Sequence, residues 1–418
     1  MKPSLLRSLI YDWIRLTIPT LAVCGFLRWR GRPRDSRERD GLNILVIRFD
    51  AIGDIVMSSA AMRELRRMYP AAHITLLADS RGFAVAETCP YADQVLCIPD
   101  EPTSIGFTVG RVVRLLQFCE AHFARRHYDI ALVPRWDADR DYATIVSCYC
   151  QADRRVTFSR HCTQQKRLLN WGFGRYYTDI LPPGGIKHEV ERGLDMVRYL
   201  GGEVCDSSTE LWLTDQDRDF AERWWRENGL AEYPVILACA PGATKAQCRW
   251  PAREFARLIE RVGRLLGEQR VATLLICGPR EVELAREVLA GAGGSVFLPF
   301  TANVRQAAAL IAKCSVLVGN NSGPIHIAAA AGIPVVEISC HPLNGDPADE
   351  LNPERFGAFS KESVVVQPRE PIAPCTDKCN AWQQHCITAV RMEDVSDAVL
   401  NLLAARAGAE SQTALCNS

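Results

Sequence analysis

Much of what announces a function in other chains is missing from this 418-residue sequence. Lysine plus arginine (49) balance aspartate plus glutamate (49), so the formal net charge is zero and no global field draws the chain to nucleic acid. No G-x-G-x-x-G fingerprint follows a predicted strand, which leaves a dinucleotide-dependent oxidoreductase without its usual support. Walker A, G-x-S-x-G and H-E-x-x-H motifs are also absent. The longest uninterrupted apolar stretch near the N-terminus, Leu16 to Leu27, falls short of the roughly 20 residues that span a bilayer. No short-period repeat and no coiled-coil heptad pattern is present.

What remains is the composition of a soluble globular protein, 48% hydrophobic and 23% charged. Its length is more than one hydrophobic core needs and suits two domains. Cysteine is abundant, with 17 residues, an odd number scattered through apolar runs such as those around Cys239, Cys277 and Cys314. A thiol in such a run behaves as a small hydrophobe. This usage predicts a reducing compartment and a cytoplasmic protein.

The first 40 residues stand apart. Residues 4–27 are apolar but broken by Arg7, Asp12, Arg15 and Pro19, and no cleavage site follows. Arg28-Trp29-Arg30-Gly31-Arg32-Pro33-Arg34 comes next, basic beside an aromatic. The composition fits a helix lying on an anionic membrane surface, as at the inner face of the cytoplasmic membrane, and equally a helix packed on the protein or a free tail.

From Asn43 onward strands and helices alternate. Asn43–Phe49 reads as a buried parallel strand, Asp50–Asp54 as a turn, 55–68 as a helix and His73–Ala78 as the next strand. Further strands are predicted at Gln94–Ile98 and Asp129–Pro134, with a helix near 108–126 between them. Residues 150–187 show no periodicity and read as long loops. After a connection at 203–214 and a helix at 215–229 the rhythm restarts, with strands at Val235–Ala240, Val271–Cys277, 295–298, 315–318 and Pro334–Ser339. Two such runs predict an α/β protein of two doubly wound domains facing a cleft. The boundaries expected are an N-terminal segment (1–40), a first domain (41–205), a second domain (206–405) and a tail (406–418).

Three turns carry candidate chemistry. Asn320-Asn321-Ser322-Gly323-Pro324-Ile325-His326 joins a strand to an alanine-rich helix. Ser322 can cap that helix, Gly323 lets a ligand approach the backbone, and Pro324 suits the first turn. A helix N-terminus of this kind suits a diphosphate, though an ordinary capped junction has the same pattern. Pro241-Gly242-Ala243-Thr244-Lys245 follows the strand 235–240, and Arg249-Trp250-Pro251 comes after it. Lys245 and Arg249 offer cations and Thr244 a hydroxyl, or else form a solvated loop. Asp54, after Gly53, is either a helix N-terminal stabiliser or a general base. Cys375, Cys379 and Cys386, with His385 beside the last, match no common zinc spacing; thiols packing a loop is the simpler reading.

Taken in order, these segments resemble glycosyltransferase family 9, the heptosyltransferase family. The resemblance runs from residue 43 to about 403. It rests on Ile47-Arg48-Phe49-Asp50-Ala51-Ile52-Gly53-Asp54, on Pro241-Gly242-Ala243 with Arg249-Trp250-Pro251, and on Asn321-Ser322-Gly323-Pro324-Ile325-His326 with Gly332-Ile333-Pro334. His188-Glu189-Val190-Glu191-Arg192 matches a further family segment. The resemblance implies a GT-B fold of two Rossmann-like domains. It implies inverting transfer from a nucleotide-sugar donor to a glycan or lipid-linked glycan acceptor, with no metal and no other cofactor.

On that resemblance Asp54 is the catalytic base and Arg249 holds the donor diphosphate beside Thr244 and Lys245. Ser322, Gly323 and His326 form the phosphate-binding helix start, and Glu281 lies near the nucleotide. One position departs from the family pattern. An Asp usually precedes the Ser/Thr-Gly pair, and here it is Asn321. An Asp only accepts hydrogen bonds from sugar hydroxyls, whereas Asn also donates. Alternatives to a heptose donor are a UDP- or GDP-hexose; a non-catalytic relative that binds nucleotide sugars is a further alternative.

Overall fold

The computed structural model describes residues 3–31, 41–98, 107–299 and 302–416. The chain divides into two compact units, Met1–Gly185 with Val190–Ser207, and Ile186–Glu189 with Ser208–Ser418.

The first unit runs α1 (Pro3–Arg30), β1 (Asn43–Arg48), α2 (Ile52–Met57), α3 (Ser59–Met68), β2 (His73–Asp79), α4 (Ser80–Ala86), β3 (Gln94–Ile98), α5 (Phe107–Phe123), β4 (Ile130–Val133), α6 (Ala143–Cys150), β5 (Arg154–Phe158), α7 (Gln164–Leu169), β6 (Asp179–Leu181) and α8 (Glu189–Tyr199). All six strands are parallel, in the order β3-β2-β1-β4-β5-β6. β1 is central because its run of Ile, Leu and Val is buried on both faces, with Val46 opposite Leu76 on one side and Leu132 on the other.

The second unit repeats the plan. It runs α9 (Asp215–Glu227), β7 (Val235–Ala240), α10 (Ala252–Leu266), β8 (Val271–Leu275), α11 (Val282–Gly291), β9 (Ser295–Phe297), α12 (Val304–Ile311), β10 (Val316–Asn320), α13 (Gly323–Ala330), β11 (Val335–Ile338), α14 (Pro353–Phe356), β12 (Ser363–Val366) and α15 (Met392–Cys416). Strand order is β12-β11-β10-β7-β8-β9, again all parallel. Each sheet therefore reverses direction once, between β1 and β4 and between β7 and β10. Ligand crevices of doubly wound sheets form at the carboxyl ends of the strands beside such a reversal. The loops there are 49–51 and 134–142 in the first unit, and 241–251 and 321–322 in the second.

Several expectations change. The single helix at 55–68 is two helices, and the turn before it is shorter, because α2 already begins at Ile52. The break falls at Ser58, whose hydroxyl donates to Asp54 O at 2.7 Å, a back-bond that bends helices. The region 150–187 carries β5, α7 and β6 rather than long loops. The buried helix α6 just before it has no polar face and so showed no helical stripe. Strand β12 is a four-residue edge that had no periodicity to read. Helix α15 continues beyond residue 405 to Cys416.

The N-terminal helix is built into the first unit. Leu16 and Thr17, then Thr20, Cys24 and Leu27 at three- or four-residue spacing, form one buried face. Thr17 donates to Leu169 O at 2.5 Å, Tyr176 OH to Leu21 O at 3.0 Å and Tyr142 OH to Arg15 O at 3.1 Å. The opposite face exposes Ile10, Tyr11, Ile14, Ile18, Phe26 and Trp29. Residues 32–40 of the basic stretch lie outside the described residues. By length and composition Ile10–Arg30 would suffice to cross a membrane.

The described cysteines are free thiols, most of them buried, and Cys239 and Cys314 sit within the second unit with their thiol pKa values raised by burial.

Candidate active site

In the second unit the two loops at the sheet reversal are stitched together by one side chain that the sequence did not single out. Asn320 ends β10 fully buried. Its Nδ2 donates to Pro241 O at 2.7 Å, and its Oδ1 accepts from Trp250 N at 3.0 Å. Trp250 is itself buried, with Nε1 donating to Val390 O at 3.1 Å and its ring edge-on to Phe255. The loop 241–250 is thereby fixed at both ends against the start of α13.

Ser322 takes the N-cap position of α13, but its hydroxyl does not cap the helix. It donates to Gly242 O at 3.2 Å and to Asn320 O at 3.1 Å. The hydroxyl is shared between a carbonyl of the neighbouring loop and one of its own, and neither contact is a cap. Among the described residues no side chain caps the first turn; Ile325 N is taken by Ser322 O at 3.2 Å and Pro324 has no N–H, so the Gly323 N–H and the positive end of the helix dipole are what a ligand would meet.

Glu281 joins this group. A Cβ on Gly242 would fall inside contact distance of its carboxylate, so Gly242 is the residue that lets the two segments meet. Glu281 Oε2 in turn accepts from Gly278 N at 2.8 Å. Gly242, Glu281 and Ser322 thus form one contiguous patch at the carboxyl ends of β7, β8 and β10.

Arg249 folds back on its own loop, Nε donating to Ala243 O at 2.6 Å, with no partner for Nη1 and Nη2 among the described residues. Lys245 pairs with Glu350. Both side chains are more than a third exposed, and such a pair contributes about 0–1 kcal/mol and is readily exchanged for a ligand anion. Thr244 is exposed at the loop tip.

His326 is 5% exposed, and burial, reinforced by nearby His188, lowers its pKa to about 3. The imidazole is neutral at physiological pH, and Nδ1 has no partner among the described residues. It offers a hydrogen bond but no positive charge. His188 Nε2 lies 2.9 Å from Gly357 O, and its ring packs on that of Phe359.

Asn321 turns inward. Its Nδ2 donates to Glu337 Oε1 at 2.6 Å and to Phe356 O at 3.3 Å. Glu337, in the middle of β11, is fully buried and also accepts from Ala358 N at 3.0 Å through Oε2. Burial raises its carboxyl to about 7, against the pull of these two donors. Sequence reading missed Glu337, because a Glu inside a strand ordinarily marks a solvent face. The structure makes Asn321 the partner of a buried acid, with its amide nitrogen committed inside the protein.

In the first unit Asp54 lies in the opening turn of α2, half-buried. Its Oδ2 accepts from Ala51 N at 3.2 Å, the helix-stabilising contact that the sequence allowed. Around it the reversal between β1 and β4 gathers a charge network that the sequence reading also missed. Arg48 Nη1 donates to Pro134 O at 2.8 Å, Nη2 to Asp54 O at 3.2 Å, and Nε lies 3.3 Å from Asp50 Oδ2. Arg135 pairs with Asp50, and Arg81 donates to Phe49 O at 2.9 Å. Burial raises the Asp50 carboxyl, but Arg48, Arg135 and Arg81 outweigh it and hold its pKa below the ordinary value. Lys166, buried with Nζ donating to Arg135 O at 2.7 Å, is lowered to about 8 mainly by burial.

A family comparison settles the class. Residues 143–384, more than half of the chain, match the family Glycosyltransferase family 9 (heptosyltransferase). The chain belongs to glycosyltransferase family 9. Among its relatives are the Lipopolysaccharide core heptosyltransferase OpsX of Haemophilus influenzae, 22% identical over 74% of this chain and 83% of that protein, and the Lipopolysaccharide heptosyltransferase 3 of Escherichia coli, 23% identical over 68% and 79%. Among solved structures, the glycosyl transferase family 9 protein from Veillonella parvula aligns at 18% identity over 88% of this chain and 98% of that one, with a TM-score of 0.68. The E. coli heptosyltransferase WaaC with ADP aligns at 14% identity over 86% and 100%, with a TM-score of 0.61. These likenesses show the fold, and it is the GT-B fold that the resemblance implied. The family 9 chain is accordingly a glycosyltransferase.

Proposed function

We propose that this transferase moves a heptose or a related sugar from a nucleotide-sugar donor to a hydroxyl of a glycan acceptor, in lipopolysaccharide or another cell-surface glycan, with inversion and without a metal in the transfer step. The observation that carries this reading is the patch of Gly242, Glu281 and Ser322 beneath the uncapped start of α13, with Arg249 on the same loop. Two relatives are named as lipopolysaccharide heptosyltransferases, which supports the choice of sugar and acceptor.

The acceptor hydroxyl gives its proton to Asp54 as its oxygen attacks the anomeric carbon. The bond from that carbon to the diphosphate breaks, and the diphosphate leaves with the electron pair. Attack opposite the leaving group inverts the configuration. Charge developing on the diphosphate meets the Gly323 N–H at the positive end of α13, the Arg249 guanidinium and Lys245, which exchanges Glu350 for it. His326, neutral, contributes only a hydrogen bond. Glu281, beside Gly242, accepts from hydroxyls of the nucleoside.

Thermal shift with ADP, UDP, GDP and their sugar conjugates, with and without EDTA, tests the reading. A nucleotide present well above its Kd raises apparent stability by about 2–4 kcal/mol. A shift with ADP conjugates, unchanged by EDTA, supports it. A shift confined to UDP or GDP conjugates replaces the donor, and no shift with any nucleotide overturns donor binding.

We further propose that α1 seats the enzyme on an anionic membrane surface while staying docked on its own unit. Its exposed apolar stripe supports this, as does a hollow of about 450 Å³ beside its C-terminal turn, which gathers Arg28, Arg125, Arg126, Arg155 and Arg175. The buried threonines and the hydrogen bonds that tie α1 to Tyr142 and Leu169 favour a surface seat over a membrane span.

A further inference from the structure

The segment between β12 and α15 has almost no regular secondary structure, yet it packs into the core of the second unit. Three cysteines and a histidine converge there. The ligand atoms of Cys375, Cys379, His385 and Cys386 all lie within 4.8 Å of one another. Cys375 Sγ is 3.6 Å and Cys386 Sγ 3.4 Å from His385 Nδ1. Around a tetrahedral Zn²⁺, bond lengths near 2.3 Å to sulfur and 2.0–2.1 Å to nitrogen put sulfurs about 3.8 Å apart and sulfur and nitrogen about 3.5 Å apart. The two sulfur–nitrogen distances match that value, and the 4.8 Å limit on all four donors leaves room for the ion between them.

Backbone donors are arranged for thiolates. Asn380 N donates to Cys375 Sγ at 3.4 Å, and the N–H groups of Ala381 and Cys386 face Cys379 Sγ. Hydrogen bonds from the backbone to ligand sulfurs are a regular second layer of metal–thiolate sites. Cys379 and Cys386 are buried and Cys375 half-buried, so the site is closed in the manner of a structural zinc rather than open to substrate. The spacing, C-x3-C-x6-C with His directly before the last Cys, matches no common module; it is the fold, not the spacing, that assembles the set.

We propose that Cys375, Cys379, His385 and Cys386 bind one structural Zn²⁺ that fastens residues 371–390 to the second unit. Three thiols lose their protons to solvent on binding and His385 ligates through Nδ1, giving a site of net charge −1. Iron–sulfur chemistry is disfavoured by the imidazole and by the tight four-atom cage. Two further thiols extend the cluster: Cys340 contacts Cys379, and Cys248 Sγ lies 3.6 Å from Cys340 Sγ. Cys248 directly precedes Arg249, and Trp250 Nε1 donates to Val390 O, so the metal would brace the floor of the loop that carries Arg249. The proposal stands on this cluster and does not depend on the donor.

The test is metal content, not activity. The full chain, purified without chelator from zinc-supplemented cells, is analysed by inductively coupled plasma mass spectrometry beside a Cys375→Ser, Cys379→Ser double variant. The proposal expects stoichiometric zinc in the parent and its loss in the variant. In case the variant fails to fold, the parent chain is stripped and refilled with Co²⁺, which should give the visible ligand-field bands and the near-ultraviolet thiolate charge-transfer band of a tetrahedral Cys-rich site. Metal-free parent protein that takes up neither ion overturns the proposal, as does zinc retained by the double variant or a brown iron-bearing chromophore in the parent.

Discussion

Asn321 Nδ2 donates to the buried Glu337 Oε1 at 2.6 Å, so the residue that departs from the pattern the resemblance implies is held by an acid inside the protein. The departure is thereby tied to packing. An aspartate at this position would face a second carboxylate in a dry site, and one of the two would have to keep a proton.

That relationship fixes a pH dependence. Burial raises Glu337 from its ordinary 4.5 to about 7. The folded chain keeps this proton over a range where the unfolded chain has released it. The stability it contributes is full below about pH 4.5 and is lost as pH rises to about 7. Asn321→Asp should steepen that decline, costing about 2–3 kcal/mol relative to the parent at pH 8 and much less at pH 5.5. Urea midpoints at the two pH values decide it, and an equal loss at both would remove the paired-acid account. Adding Glu337→Gln to that variant should recover most of the loss, because the Gln amide can donate to the introduced carboxylate while its oxygen accepts from Ala358 N.

Gly242 and Glu281 are coupled by space. Gly242→Ala must push the Glu281 carboxylate away and breaks its bond with Gly278 N, a cost to stability of about 1 kcal/mol. Displacing that carboxylate should weaken donor binding about tenfold, or roughly 1.4 kcal/mol. Glu281→Ala should weaken it similarly, and the double variant should be no worse than either single. Calorimetric titration of the four proteins gives the cycle; additive losses would mean that the two residues act separately.

Asp54 has two jobs that one substitution can separate. Asp54→Asn keeps an oxygen for Ala51 N, whereas Asp54→Ala loses it. Both should lower kcat about 100-fold or more if the carboxylate takes the acceptor's proton. Only the Ala variant should also lose about 1 kcal/mol of stability. Donor Kd should be unchanged in both. An Asn variant that kept most of its kcat would leave Asp54 as a helix stabiliser alone.

The sheets were legible because parallel strands buried on both faces need near-continuous apolar runs, and β1, β7 and β10 have them. The loops at their ends were legible for the same reason, since a doubly wound sheet puts its ligand there. What could not be read is whatever one loop does to another. Ser322 carries every local mark of a helix cap, yet its hydroxyl answers Gly242 O, 80 residues earlier in the chain. Asn320 looks like an ordinary turn residue until Pro241 and Trp250 arrive at its amide. Glu337 is buried only because β11 lies inside the sheet and residues 356–358 cover it. The cysteines were readable as apolar filler but not as a converging set, because C-x3-C-x6-C gains its geometry only from the folded segment.

The docking of α1 changes how its membrane role must be tested. Deleting residues 1–40 would strip Leu16, Thr17, Cys24 and Leu27 from the surface of α6 and α7 and destabilise the first unit, so a loss of membrane binding would have two causes. Replacing the exposed stripe leaves those contacts alone. Ile14→Ser, Ile18→Ser, Phe26→Ser and Trp29→Ser together remove four side chains that are each at least 48% exposed. Surface changes of this kind usually stay within about 0.5 kcal/mol apiece, and activity on a soluble acceptor should hold. Co-sedimentation with phosphatidylglycerol vesicles should fall sharply for this variant. Binding by the parent should itself weaken as salt rises, because arginines beside α1 meet the lipid charge within a Debye length. Parent protein that ignores anionic vesicles at low salt, or a variant that binds them as the parent does, would return the exposed stripe to the status of ordinary surface.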